Sequence, residues 1–115
     1  MRYLPDTVTS GSATVSTLTV LKAFTNFGSD YHTLLFYVRN DDAADTVTVT
    51  IETSEDGVAP DAVSVWNLTC TPLKQVSLEV GPGLLRRYWR ISAATADPYP
   101  SAAVTWGIRG VSRKV

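Results

Sequence analysis

The chain has 115 residues, with ten Lys+Arg, eleven Asp+Glu and one His, for a formal net charge of −1. That length suits one domain able to bury roughly two-thirds of its unfolded surface, and the single cysteine, Cys70, excludes an intrachain disulfide and a cysteine-only metal site. The balanced charge argues against a polybasic nucleic-acid binder, no apolar run reaches the ~18 residues that span a bilayer, and the opening MRYLPDTVTSGS has no apolar signal-peptide core.

Residues 1–15 are rich in Thr, Ser and Gly and poor in apolar side chains. They read as an extended N-terminal arm with room for a short strand at Ala13–Val15, leaving 16–115 as the folded domain. Ser16–Phe24 is a first strand through Leu18 and Val20. Its alternation blurs at Leu21, Lys22 and Ala23, which predicts a bulge. Thr33–Arg39 places Leu34, Phe36 and Val38 on one face, and Thr46–Thr53 does the same with Val47, Val49 and Ile51. The polar run Asn40–Asp45 between them has hairpin-loop length, so these two strands are expected to pair antiparallel. Ser54-Glu55-Asp56-Gly57 is a turn, because glycine accepts positive φ.

Ala62–Thr69 is the next strand, ended by Thr71-Pro72. Gln75–Val80 follows, with Val76, Leu78 and Val80 inward. Gly81-Pro82-Gly83 turns the chain. Leu85–Ala94 then sets Leu85, Trp89, Ile91 and Ala93 against Arg86, Tyr88, Arg90 and Ser92. After the loop 96–101, Ala103–Val111 turns Val104, Trp106 and Ile108 inward. Period two throughout, with no helical face longer than a turn, predicts an all-β protein. Seven or eight short strands separated by turn signals predict a single antiparallel β-sandwich, Ig-like or jelly-roll-like. Its core is expected to hold Leu34, Phe36, Val38, Val47, Val49, Ile51, Val76, Leu78, Trp89, Ile91, Trp106 and Ile108.

Catalytic chemistry has little to stand on. His32 is the only histidine, and beside Asp30 and Tyr31 it reads as a polar residue at a strand start. Cys70 reads as a small buried hydrophobe. Asp41, Asp42 and Asp45 lack the spacing and distal Glu of a calcium loop and read as turn residues. Asn67-Leu68-Thr69 is a glycosylation sequon inside a strand and reads as coincidence. No catalytic residue, metal ligand or cofactor site is assigned. Tyr88, Tyr99 and Trp66 are the aromatics that could form a sugar-stacking platform, against the commoner role of core and rim packing.

Charge is unevenly placed. Residues 1–85 hold four bases against ten acids, a net of −6; residues 86–115 hold six bases against Asp97, a net of +5. If the last two strands pair, Arg86, Arg90 and Arg109 can share one outer face around Tyr88, and Arg113 is counted with them as a partner-binding residue. That basic face is the expected partner-binding surface, for an acidic neighbour. It is also where a nucleic-acid strand would lie, but a sequence pI of about 5.7 argues against that use.

The Thr/Val-rich strands, the Ser54–Gly57 turn and the strand Tyr88-Trp89-Arg90-Ile91-Ser92 together resemble the small β-sandwich accessory proteins of tailed bacteriophage virions, capsid decoration (cement) proteins and small tail components. The resemblance implies a structural role in the virion without catalysis. It implies further copies of the chain as partners, in a homo-oligomer such as a trimer, and a capsid or tail protein as the surface bound. The same strands are similar to discoidin-like and other carbohydrate-binding sandwiches, which makes a glycan the alternative partner. Neither a membrane nor a nucleic acid is an expected partner.

Overall fold

The computed structural model describes residues 6–16, 18–26, 31–58, 65–81, 88–95 and 101–112. They form eight antiparallel strands: β1 (Asp6–Val15), β2 (Thr19–Asn26), β3 (Tyr31–Asn40), β4 (Val47–Ser54), β5 (Val65–Cys70), β6 (Gln75–Val80), β7 (Tyr88–Thr95) and β8 (Ala102–Ser112). Sheet I has the order β1-β8-β3-β6 and sheet II the order β2-β7-β4-β5. The pairs β4·β5, β3·β6, β2·β7 and β1·β8 nest one outside the next. Two further ladders, β3·β8 and β4·β7, complete the sheets. This is the jelly-roll form of the β-sandwich, a long nested hairpin rolled into two layers.

Alternation explains the core. Leu34, Phe36 and Val38 of β3 face Val47, Val49 and Ile51 of β4 across the layers, with Trp89 and Ile91 of β7 and Val104, Trp106 and Ile108 of β8. Trp89 has no exposed surface and sits 5.1 Å from the Phe36 ring and 5.6 Å from Trp66. Val76 and Leu78 face the core as expected but stay half-buried, because β6 is an edge strand. The bulge expected near Leu21 is present: the β2·β7 register shifts between Val20 and Lys22 and again between Lys22 and Thr25.

Three expectations are corrected. The strands around the Asn40–Asp45 loop do not pair with each other; β3 lies in sheet I and β4 in sheet II, so the loop crosses between layers. The last two strands are likewise split, β7 into sheet II and β8 into sheet I. Local alternation says which face of a strand is buried, and two strands buried on opposite sides of one core show the same pattern as two strands side by side. Finally, the arm expected over residues 1–15 is, from Asp6 onward, the edge strand β1. It follows β8 from Asp6↔Gly110 to Val15↔Ala102, and Val15 is fully buried. Its low apolar content reflects an edge strand of Ser and Thr, most of them exposed, rather than detachment from the domain.

The layer crossings are held by side chains. Buried Asn40 donates through Nδ2 to the carbonyls of Asp45 (2.6 Å) and Cys70 (3.1 Å), and its Oδ1 accepts from the Asp42 N–H (3.0 Å). One side chain thus ties the end of β3, the crossing loop and the end of β5. The β5–β6 crossing is tight and forces Leu73, exposed by 65%, to φ 59°. At the other end, Gly57 takes φ 80° as expected for the Asp-Gly turn, with Ser54 Oγ accepting its N–H at 3.0 Å.

Two outcomes follow. Deleting residues 1–15 uncovers the β8 edge and empties the Val15 site, so the truncated chain is expected to lose most of its stability; circular dichroism with urea unfolding measures it. Leu73→Gly relieves a left-handed backbone cost of roughly 1–2 kcal/mol and, at a side chain 65% exposed, gives up little buried surface. Part of that gain is offset by glycine's backbone entropy of roughly 0.5–1 kcal/mol. The unfolding free energy is expected to rise by up to ~1 kcal/mol, read from the urea midpoint.

Candidate functional site

The residues singled out by charge do not assemble into one cluster. Arg90 projects from the outer face of sheet II and Arg109 from the outer face of sheet I, with the core between them. Arg86 and Arg113 lie outside the described residues, as does Tyr99. Tyr88 is on Arg90's side of β7, its ring packed over Gly57. Of the predicted partner-binding residues that are described, Tyr88 and Arg90 share one side of β7 and Arg109 does not join them.

Arg90 is engaged within its own chain. Its Nε and Nη2 donate to Glu52 Oε1 at 3.1 and 2.8 Å, and its guanidinium lies 4.4 Å from the Phe24 ring centroid. Both side chains of the pair are largely covered, 27% and 16% exposed. The pair joins β7 to β4, and Phe24 adds β2, so Arg90 works as a brace across three strands of sheet II. Trp66, a candidate for a sugar platform, turns inward and stacks on Trp89 at 20°.

The aspartates of the crossing loop have assigned work. Asp42 Oδ2 accepts the N–H groups of Ala44 (2.9 Å) and Asp45 (2.7 Å), a turn-capping arrangement. Those N–H groups hold its carboxyl below the ordinary range. Asp41 accepts from Thr105 Oγ1 at 2.7 Å and from Arg39 Nε at 2.7 Å, and these lower its carboxyl too. Asp45 is shifted upward, by desolvation first and the neighbouring Asp42 charge second. Among the described residues no three His, Cys, Asp or Glu side chains gather as a metal would need. Cys70 is fully buried, its thiol 3.1 Å from the Lys74 carbonyl, and burial pushes the thiol up. A raised thiol is a poor nucleophile, and the core reading of Cys70 stands. The His32 side chain lies outside the described residues.

The outer face of sheet I forms a concavity. Leu35 and Tyr37 of β3, Gln75 and Ser77 of β6 and Arg109 of β8 line an open depression of about 280 Å³. Its form depends on Gly107, opposite Tyr37 in the β3·β8 ladder. Any side chain at Gly107 would collide with the Tyr37 ring, so the missing Cβ leaves room for the ring over β8 at that point. The Arg109 guanidinium carbon is 5.9 Å from that ring's centroid, and no carboxylate among the described residues pairs with it. Arg109 was legible in the sequence as part of the basic segment. Tyr37 and Gly107 were not, because they meet only through a ladder between strands nearly seventy residues apart.

Charge and pH give two checks. Arg90→Glu places two carboxylates together in a covered site and is expected to lower stability by roughly 3–5 kcal/mol, whereas Arg109→Glu on the exposed face is expected to cost little; urea unfolding distinguishes them. For pH, the folded-state carboxyls of Asp41 and Asp42 lie below their unfolded values. Their stabilisation is present above the unfolded pKa and lost as pH falls through the folded values. Asp45, shifted up, contributes in the opposite sense. Asp42→Asn keeps an acceptor oxygen without the charge, and its stability curve is expected to fall less steeply below about pH 4.

No protein-family model matches the sequence, and no curated protein matches it. Solved structures similar to the chain include the following two. One, described as "Bacillus endospore appendages form a novel family of disulfide-linked pili", is 20% identical with a TM-score of 0.56, over 95% of this chain and 88% of that one. The other, the coat protein of Tobacco streak virus, is 11% identical with a TM-score of 0.48, over 99% of this chain and 88% of that one. At these identities the likeness to the pilus subunit concerns the fold, an all-β sandwich of eight antiparallel strands.

Proposed function

We propose that this chain is a non-enzymatic structural subunit that assembles by pairing strand edges with neighbouring molecules. The carrying observation is β1. It is ten residues long, it forms the free edge of sheet I, and after Asp6 it has no charged residue and no proline. Natural edge strands are usually short or carry Lys, Pro or repeated bulges, since a bare edge offers unpaired N–H and C=O groups to any other strand. The other edges follow that habit: β2 has Lys22 and two register shifts, β6 is six residues with Glu79, and β5 is six residues. Two copies of β1 run antiparallel about its middle would oppose Asp6 to Val15 and bring no like charges together, so the edge is self-compatible.

In finer terms we read the chain as a virion accessory protein of the capsid-decoration kind. The jelly-roll order, one used by viral capsid domains, supports that reading, as does the resemblance carried by the Tyr88–Ser92 strand. The similar pilus subunit is, by its description, also a component of an assembled structure.

Light scattering after size exclusion tests the assembly. The wild-type chain is expected to run as an oligomer. Ser10→Lys with Ser12→Lys, both at exposed β1 positions, is expected to run as a monomer with an unchanged circular dichroism spectrum. A wild-type chain that stays monomeric at all concentrations overturns the proposal. Mass-spectrometric copy number in purified particles tests the finer reading: lattice-scale numbers fit decoration, a handful fits a tail component, and absence refutes both.

A further inference from the structure

We propose that the depression on the outer face of sheet I is a binding site for an acidic saccharide, a single pyranose ring bearing a carboxylate. The inference is independent of the β1 edge and uses different residues. The depression, at about 280 Å³, falls just below the ~300–1,000 Å³ of pockets that take drug-sized ligands. It therefore suits one ring rather than an extended molecule.

The chemistry of its walls fits each part of such a ring. Tyr37 lies over Gly107, where a Cβ would run into its Oη, Cζ and Cε1, and its aromatic ring lines the depression. Aromatic faces receive the apolar C–H side of a sugar, and Leu35 extends that apolar floor. Gln75 offers an amide with both donor and acceptor, and Ser77 a hydroxyl with both, which matches hydroxyl groups that donate and accept. Arg109 supplies the one cation. It is exposed, without a carboxylate partner among the described residues, and placed 5.9 Å from the Tyr37 ring, which narrows the positions its planar fork can take. Glu79 stands across Leu35 from Arg109 in the same row of the sheet. Its charge disfavours an anion at that end and accepts from hydroxyls, so the carboxylate is directed to Arg109.

Two other arginines among the described residues, Arg39 and Arg90, do not offer the same site. Arg39, two rows along, is already committed to Asp41 at 2.7 Å and to Thr105. Arg90 is committed to Glu52. An acidic protein side chain would use the guanidinium but would leave the aromatic ring and the donor-acceptor pair Gln75 and Ser77 without a role.

Amide chemical-shift titration of the full chain with glucuronate, glucose and acetate tests this. Glucuronate is expected to cause saturable shifts confined to β3, β6 and β8 around residues 35–37, 75–77 and 107–109. Glucose is expected to bind at the same residues about tenfold more weakly, the factor of a charge-assisted hydrogen bond, and acetate not to saturate. Arg109→Gln, on an exposed side chain, is expected to bring glucuronate down to the glucose level without altering the fold. The proposal is overturned if glucuronate gives no saturable shift, if Arg109→Gln binds it as tightly as the wild type, or if acetate binds as tightly as glucuronate. That last outcome would assign the site to a bare carboxylate, such as an acidic residue of a protein partner. None of these results bears on whether β1 assembles.

Discussion

The ladders β3·β8 and β4·β7 are the constraint on which the rest of the molecule depends. Without them the pairs β4·β5, β3·β6, β2·β7 and β1·β8 would be one long nested hairpin with a single apolar face. The two ladders cut that hairpin into sheets of four and set the halves face to face. The apolar face is then covered by itself, and Trp89, Phe36 and Ile108 become a shared interior. The arrangement demands that the chain cross between layers repeatedly, and each crossing exposes backbone groups that no ladder can satisfy. Asn40 answers that demand where three segments meet, and it has no exposed surface because its partners are all main-chain or loop groups closing over it. The backbone bonds Asn40 N to Lys74 O and Asp41 N to Ala103 O fasten the same end of the sandwich.

The same constraint decides which surfaces remain. Rolling the nested hairpin leaves β1 and β6 as the edges of sheet I and β2 and β5 as the edges of sheet II. Irregular register disrupts β2 as a template, though Leu18 and Val20 leave 69% and 47% of their surface exposed there. β1 has a single register shift, between Thr7 and Thr9, and runs regularly to Val15. Pairing potential therefore concentrates in one strand, and the outer faces carry the polar side chains.

Electrostatics divides between support and availability. The sequence separates an acidic first part from a basic last part, but folding brings them together where Arg90 meets Glu52 across a ladder; Arg39, a base of the first part, meets Asp41 within its own turn. Arg90 braces three strands; Arg109, on the opposite face, has an aromatic neighbour and no acid among the described residues. Two arginines that look equivalent in sequence differ because β7 and β8 went to different sheets.

Period-two alternation by itself determined the class of the protein, the positions of the strands after β1, the irregularity of β2 and nearly all of the core, and the Asp-Gly pair determined the turn at Gly57. Each of these is local, since a strand's buried face is set by its own side chains. The tertiary structure decided which strands lie side by side. Leu34–Val38 and Val47–Ile51 carry identical patterns whether they pair in one sheet or pack across two, so the expected β3–β4 hairpin and the shared Arg90–Arg109 face were equally compatible with the sequence. The strand within residues 6–15 was masked because an edge strand with one side in solvent needs few apolar residues. The site on sheet I escaped for a related reason. Tyr37 and Gly107 acquire meaning only in the β3·β8 ladder, and a ladder between distant strands is fixed by how the whole core closes, not by any residue within either strand.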